Sequence, residues 1–260
     1  MCDLFIAMNA ILSAITSFAL FAVVAVNVAQ AGPSTAPGGR SCYWVFLNKG
    51  PGRSKTAAMS KEEVAKMQKE HVDNLGTLWR QGRGLAAGPL GDDGFIRGIV
   101  VLSVTNAAEI KDCFKPDPFV QNDILAVEAY RWLTDMSRFQ RPYEPFKLAK
   151  HTLVVVKKGP NYTPPKETLS ANSMLTLMPS LRSSADKGDL AVSGPLVDAG
   201  ELVGILLFIP GSGETIRGAL DSDPAVKAGV LKFDVHPQFM GAGVLRRPGE
   251  FEPGVGGEHK

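Results

Sequence analysis

One histidine and two adjacent aspartates are the residues best suited, by type and spacing, to acid–base chemistry. His71 lies between Met67 and Leu75 in an apolar series with helical spacing, so its imidazole should face the interior of the fold. Asp92 and Asp93 follow in a Gly-Asp-Asp-Gly turn. Imidazole titrates near neutral pH, and a neighbouring carboxylate would fix its tautomer and raise its pKa. We therefore expect His71 to transfer a proton beside carboxylates of a nearby loop, for which Asp92 and Asp93 are the candidates.

An alternative interpretation assigns these residues no chemistry. His71 would then cap a loop carbonyl, and the aspartates would form an ordinary hairpin turn, for which Asp-Gly is a common sequence. Two further side chains, Tyr130 and His236, lie at matching positions of the last strand of each half. Both could point into a cavity between two sheets and line a pocket there; the alternative for His236 is an ordinary strand-edge residue, since His-Pro commonly ends a strand.

The elements that position these residues occur twice in the order β-α-β-β-α-β. Alternating and helical apolar spacings, together with turn residues, define each element, and Ser60 with Glu63 has the form of a capping box for the first helix. The first set spans residues 43–47, 60–82, 85–90, 95–104, 106–114 and 124–132. The second set spans residues 151–156, 167–187, 190–196, 202–209, 215–220 and 230–236, and Pro179 should interrupt its first helix.

The two sets share motifs as well as element order. Gly88-Pro89-Leu90 recurs as Gly194-Pro195-Leu196, an offset of 106 residues, whereas Lys49-Gly50-Pro51 recurs as Lys158-Gly159-Pro160, an offset of 109. A small gap therefore separates the copies between these motifs, and the counterpart of His71 is Leu177 or Ser180. Neither is a histidine, so we expect one site, in the first copy, with the second copy retained as a scaffold.

A β-α-β-β-α-β unit folds as a ferredoxin-like sandwich with one bare sheet face. Two units in one chain can cover each other, which predicts an α+β fold of two ferredoxin-like units packed sheet to sheet as a fused, intrachain α+β barrel. The predicted divisions are residues 1–31 (signal peptide or N-terminal membrane anchor), 32–41 (flexible spacer), 42–137 (first domain), 138–149 (linker), 150–240 (second domain) and 241–260 (disordered tail).

These motifs resemble the YciI-like (YCII-related) family of the dimeric α+β barrel superfamily. The resemblance rests on Lys-Gly-Pro after the first strand, the histidine of the first helix, Gly88-Pro89-Leu90 with the following aspartates, and Asp117-Pro118; in the second copy Asp223-Pro224 and His236-Pro237 carry it. It implies a barrel that relatives usually build from two chains. It also implies a His-Asp pair formed by the first helix and the loop after Gly-Pro, so that Asp92 or Asp93 is the partner of His71.

The N-terminus is apolar from Leu4 to Val28 and then reads Ala29-Gln30-Ala31, with small residues where signal peptidase requires them. The run is also long enough to span a bilayer, so an uncleaved membrane tether through residues 4–28 is the alternative. Either reading predicts that the protein is exported, to the periplasm or beyond, or anchored outside the cytoplasm. In such a compartment Cys42 and Cys113 could pair or remain as two buried thiols.

Composition excludes one class of partner and offers no cofactor site. The chain has 260 residues and a formal net charge of +2, without a Lys/Arg-rich run with interleaved aromatics, so we expect no nucleic-acid binding. No Cys/His spacing of a metal site and no haem site is visible, and we expect no cofactor. The predicted function is a small-molecule enzyme of the isomerase or lyase type that uses a His-Asp dyad. The alternative is a non-catalytic ligand-binding or structural module of the cell envelope.

Overall fold

The structure is a computed structural model that describes residues 41–211 and 213–246. The predicted leader, almost all of the spacer and residues 247–260 of the predicted tail lie outside these residues. In the first half the elements are β1 (Ser41–Lys49), a 3-10 helix (Arg53–Ala58), α1 (Lys61–Arg80), β2 (Gly84–Pro89), β3 (Ile96–Val104), α2 (Ala108–Phe114), α3 (Pro118–Gln121) and β4 (Leu125–Trp132).

The second half repeats this order after a 3-10 turn at Met136–Arg138. Its elements are β5 (Leu148–Lys158), α4 (Ser173–Leu177), a 3-10 turn (Pro179–Leu181), α5 (Arg182–Asp186), β6 (Leu190–Val197), β7 (Leu202–Phe208), α6 (Gly213–Ser222), α7 (Pro224–Lys227) and β8 (Leu231–Gly241). The predicted first helix of this half is broken at Pro179, as the missing amide proton of proline predicts.

The eight strands form one antiparallel sheet in the order β2-β3-β1-β4-β6-β7-β5-β8. Each half contributes four strands, and β8 returns to β2 through a bridge between Leu90 and Gln238, which closes the sheet into a barrel. One large apolar cluster, which includes Trp44, Phe46, Leu153 and Ile205, lies between the two halves of the sheet. The fold is therefore the fused α+β barrel that the repeated pattern predicts.

The Gly-Pro-Leu motifs lie at the two seams where the halves meet. A Cβ on Gly88 would stand 1.8 Å from the Phe239 carbonyl oxygen, and one on Gly194 would stand 2.0 Å from the Leu133 carbonyl oxygen. Only glycine allows these backbones to approach so closely. Across each seam a side chain donates to the carbonyl of that glycine at 2.9 Å, from Gln238 to Gly88 and from Trp132 to Gly194. The repeated motif is thus a device for closing the barrel.

Two smaller clusters fill the space between each half-sheet and its own helices. Helix α1 begins at the capping box of Ser60 and Glu63, as predicted, and packs Met67, Leu75 and Leu78 onto the first half-sheet. The helices are therefore outside the barrel, and the sheet separates them from its interior. This separation decides which carboxylate each histidine can reach.

The C-terminal boundary differs from the prediction. The tail was expected to be disordered from Gly241, but β8 extends to Gly241, and Val244 and Leu245 are buried in the cluster between the half-sheets. Leu245 also forms a bridge with Phe139. The prediction rested on the glycine-rich composition and did not consider that Val244 and Leu245 could pack into the core. No helix in the described part of the chain is long and apolar enough to cross a membrane.

Candidate acid–base site

His71 forms a close pair with a carboxylate of its own half of the chain. Its Nδ1 lies 2.6 Å from Oδ2 of Asp117, whose side chain is fully buried, whereas the His71 side chain is 12% exposed. A buried carboxylate needs hydrogen-bond donors, so Nδ1 carries the proton and Nε2 keeps its lone pair when the ring is neutral. The Phe119 ring packs beside the imidazole at 5.5 Å between centroids. The pair therefore combines a fixed tautomer with access from solvent.

The surrounding backbone holds both partners in place. Asp117 is the N-cap of α3, where Oδ1 accepts the Phe119 amide at 3.0 Å, so its other oxygen remains for the histidine. One turn after His71 on α1, Asn74 donates to the Cys113 carbonyl at 3.0 Å. Two side chains on the same face of α1 thus bind the segment that leads from α2 to α3. These two contacts fix the orientation of the imidazole relative to Asp117.

The second half forms the same arrangement without a histidine. Asp223 caps α7 by accepting the Ala225 amide at 2.9 Å, and its Oδ2 accepts the hydroxyl of Ser180 at 2.6 Å and the Ser180 amide at 3.1 Å. Ser180, not Leu177, is therefore the counterpart of His71. The buried aspartate is needed for structure in both halves, but a histidine beside it is not.

The predicted partner of His71 was wrong. Asp92 and Asp93 follow β2 at the seam, and the Asp92 carboxylate faces β8 rather than α1. Asp92 Oδ2 lies 2.7 Å from Nδ1 of His236 in the second half. Asp93 is exposed, and its carboxylate lies 3.8 Å from the Arg97 guanidinium. The prediction failed because α1 and the Asp92–His236 pair lie on opposite faces of the first half-sheet.

Tyr130 and His236 both project from the face of their strands that lines the barrel. Tyr130 packs against the apolar cluster between the half-sheets, and its hydroxyl donates to Glu128. Burial, followed by this hydrogen bond to a carboxylate, raises the Tyr130 pKa. His236 pairs in register with Leu153 of that cluster. The sequence therefore placed both side chains on the correct face but did not show that His236 meets Asp92.

Cys42 and Cys113 are both free and lie on opposite faces of the first half-sheet. Cys42 belongs to the cluster inside the barrel and Cys113 to the cluster beneath the helices, which excludes a bond between them in this fold. Burial raises the pKa of both thiols. Within residues 41–211 and 213–246, no group of three or more His, Cys, Asp or Glu side chains could hold a metal ion.

Comparison with known proteins agrees with this architecture. A family model for the YCII-related domain matches residues 43–133. The match covers the first half of the barrel, from β1 to the end of β4. Both members of the His71–Asp117 pair lie inside the matched residues. None of the curated proteins compared with the chain matches it.

Solved structures show the same fold at low sequence identity. A chlorite dismutase variant from Candidatus Nitrospira defluvii is 10% identical, with a TM-score of 0.51, and the alignment covers 77% of this chain and 91% of that one. The TA0507 protein, provisionally assigned to the chlorite dismutases, is 11% identical with a TM-score of 0.51, covering 76% and 94%. A haem-binding protein from Thermus thermophilus is 12% identical with a TM-score of 0.48, covering 78% and 91%. The first two show that this chain shares the α+β barrel fold of those structures.

Proposed function

We propose that the YCII-related domain is a small-molecule acid–base enzyme in which His71 transfers the proton. One observation carries the proposal: Nδ1 of His71 lies 2.6 Å from the buried Asp117 carboxylate, where the second half places a serine. A residue that the fold can replace, but that is held in a fixed tautomer and partly exposed, is suited to chemistry. Phe119 provides an apolar wall beside it.

The reaction that this geometry favours is an isomerisation. Nε2 of neutral His71 would take a proton from a carbon acid, which leaves a carbanion or enolate on the substrate and an imidazolium on the enzyme. The Asp117 carboxylate stabilises that imidazolium through Nδ1, and Nε2, whose proton can exchange with water before it is returned, then protonates a different atom of the substrate. The cycle needs no external oxidant or reductant, and it is consistent with a cofactor-independent site.

The alternative is a non-catalytic binding or structural module, and one observation favours it. Ser180 and Asp223 show that the same contact can serve structure alone. The two functions differ in whether His71 moves protons. The test is therefore a proton-exchange assay rather than a binding assay.

The experiment incubates the full chain in D2O with a panel of small lactones, enones and 2-oxo acids and follows deuterium incorporation by NMR. We expect wild-type protein to catalyse exchange into at least one compound and His71→Asn to lose about 100-fold or more of that rate. His236→Tyr should retain it, because that residue lies on the other side of the sheet. Absence of exchange across the panel, or an unchanged rate in His71→Asn, would leave the binding-module function in its place.

We also propose that the protein acts outside the cytoplasm. The support is the apolar run of residues 4–28 with the small residues that follow it. Fractionation of cells that express the full chain distinguishes export from tethering, because a cleaved protein is soluble in the periplasmic or external fraction and an anchored one sediments with membranes. Recovery in the cytoplasmic fraction would contradict both.

A further inference from the structure

A second His-Asp pair joins the two halves of the chain at the β2–β8 seam. Nδ1 of His236 lies 2.7 Å from Oδ2 of Asp92, and the two side chains are 16% and 33% exposed. The Gly91 amide donates to the Pro237 carbonyl at 2.7 Å, so the backbones also meet at this point. This pair is separate from the His71–Asp117 pair, since it lies between the halves and inside the barrel rather than beneath α1.

The seam contains two buried acceptors that have no hydrogen-bond partner among the described residues, Nε2 of His236 and Oε1 of Gln238. The Asp92 carboxylate accepts a hydrogen bond from the protonated Nδ1, which leaves Nε2 of the neutral ring as an acceptor. The Gln238 amide nitrogen donates to the Gly88 and Phe239 carbonyls, which identifies its other atom as the oxygen. Both acceptors therefore point to a partner with donor groups.

The two acceptors belong to one surface. His236 and Gln238 are two residues apart on β8 and pair with Leu153 and His151 of β5, so they lie on the same face of the strand, about 7 Å apart along it. Gln238 is fully buried, whereas His236 retains some exposure. A ligand would enter beside His236 and reach Gln238 at greater depth.

The loop that presents Asp92 is held in place from several directions. Oδ1 of Asp92 accepts the Gly94 amide at 3.1 Å, and the Arg97 guanidinium donates to the Asp92 carbonyl at 2.9 Å. Lys49 donates to the next carbonyl, that of Asp93, at 2.9 Å. These contacts fix the carboxylate before any ligand binds, which lowers the cost of binding.

The opposite seam shows that the barrel does not need these unpaired acceptors. Tyr130 replaces His236 there and donates its hydroxyl to Glu128, and Trp132 replaces Gln238 and donates to the Gly194 carbonyl. The corresponding polar atoms are thus paired within the protein. An unpaired buried acceptor costs about 1–3 kcal/mol, so the β2–β8 seam keeps two of them at a cost that closing the barrel does not explain.

We propose that His236 and Gln238 form a second small-molecule site, which binds a compound that presents two hydroxyl or amino donors. His236 Nε2 and Gln238 Oε1 accept the two donor hydrogens, and Asp92 holds the His236 ring in the accepting tautomer. The site lies between the halves, so it needs both halves and does not involve His71.

The experiment uses NMR of the full chain with 13C-labelled histidine. The chain has 4 histidines, and His236→Tyr, which copies the opposite seam, assigns the His236 signal. The probes are linear diols from ethane-1,2-diol to butane-1,4-diol, each paired with its dimethyl ether, which has the same oxygens but no donors. Matched variants are Asp92→Asn and Asp198→Asn, the equivalent position in the opposite seam.

We expect at least one diol to shift the His236 signal saturably while its ether does not. Asp92→Asn should weaken that response about tenfold or more, because the ring tautomer is no longer fixed, and Asp198→Asn and His71→Asn should leave it unchanged. If no diol shifts the signal, water alone satisfies the acceptors and the proposal is wrong. Equal shifts from diol and ether, or an undiminished response in Asp92→Asn, overturn it as well, and none of these results depends on proton exchange at His71.

Discussion

The substitution His71→Leu should destabilise the first half markedly, because it removes the donor to a buried carboxylate. A hydrogen bond to a charged group contributes about 1.5–3 kcal/mol, and leaving a buried charge without its partner costs about 3–5 kcal/mol. Asp117 is fully buried and retains only the Phe119 amide after the substitution. We therefore expect a loss of about 3 kcal/mol. A leucine variant as stable as the wild type, or more stable, would refute the pairing.

His71→Ser provides the matched comparison, since serine is the residue that the second half uses. Its hydroxyl can donate to Asp117 as the hydroxyl of Ser180 donates to Asp223. The backbone amide of Ser180 donates to Asp223 as well. The amide of residue 71 cannot do the same, because it lies inside α1 and is already hydrogen-bonded within the helix. We expect a loss of about 1–2 kcal/mol, intermediate between the wild type and leucine. Urea unfolding at an unchanged m value measures each loss.

The remaining predictions concern packing, pH and thiol reactivity. Gly88→Ala should lower the free energy of unfolding, measured in urea, by about 1–3 kcal/mol, because its Cβ would stand 1.8 Å from the Phe239 carbonyl oxygen. Gly218→Ala, which has open space around it, should raise the free energy of unfolding by a few tenths to about 1 kcal/mol. Equal effects of the two substitutions would contradict the seam geometry. Burial lowers the His151 pKa from 6.5, so the unfolded chain binds the extra proton first and stability should fall as pH drops below about 6.5. That fall should be smaller in His151→Cys, measured as the difference in unfolding free energy between about pH 7.5 and about pH 5.5. Burial raises the Cys42 pKa, so a thiol reagent should label Cys42 only on unfolding, and rapid labelling of the native chain would show that the strand opens.

Local signals in the sequence were sufficient for the elements and their duplication. The Ser60–Glu63 capping box begins α1 where predicted, and Pro179 breaks the corresponding helix of the second half. Repetition of Gly-Pro-Leu led to the fused barrel, although its physical role became clear only from the close approach of Phe239 and Leu133. These features depend on neighbours in the chain or on an internal copy, which a single sequence contains.

The partners of the histidines could not be predicted in the same way. His71 and Asp117 are 46 residues apart, and Asp92 and His236 are 144 apart. Asp117-Pro118 is a repeated motif of the sequence, but nothing local to it indicates a histidine partner. Comparison with the second copy was the signal that could have identified the pair. Asp223-Pro224 repeats Asp117-Pro118, although the second copy has no counterpart of the His71 imidazole. The offset changes from 109 to 106 between Ser180 and Gly194, which left the register of the helix open.

In both His-Asp pairs one carboxylate oxygen binds the backbone and the other binds the histidine. Each aspartate uses Oδ1 to accept the backbone amide two residues ahead, at Phe119 or Gly94, and each uses Oδ2 for a histidine Nδ1. The backbone contact fixes the carboxylate whether or not a histidine is present, and Asp223 shows this with Ala225 and Ser180.

Both histidines meet carboxylates of the first half, although His236 belongs to the second. The counterparts Asp198 and Asp223 are kept, whereas the residues that take the histidine positions are Tyr130 and Ser180. In the second half the Asp223 carboxylate keeps its contacts with Ser180 and the Ala225 amide although no histidine lies beside it. The His71–Asp117 pair therefore belongs wholly to the first half, whereas at the β2–β8 seam the acceptors of His236 and Gln238 come from the second half and the carboxylate that orients His236 comes from the first.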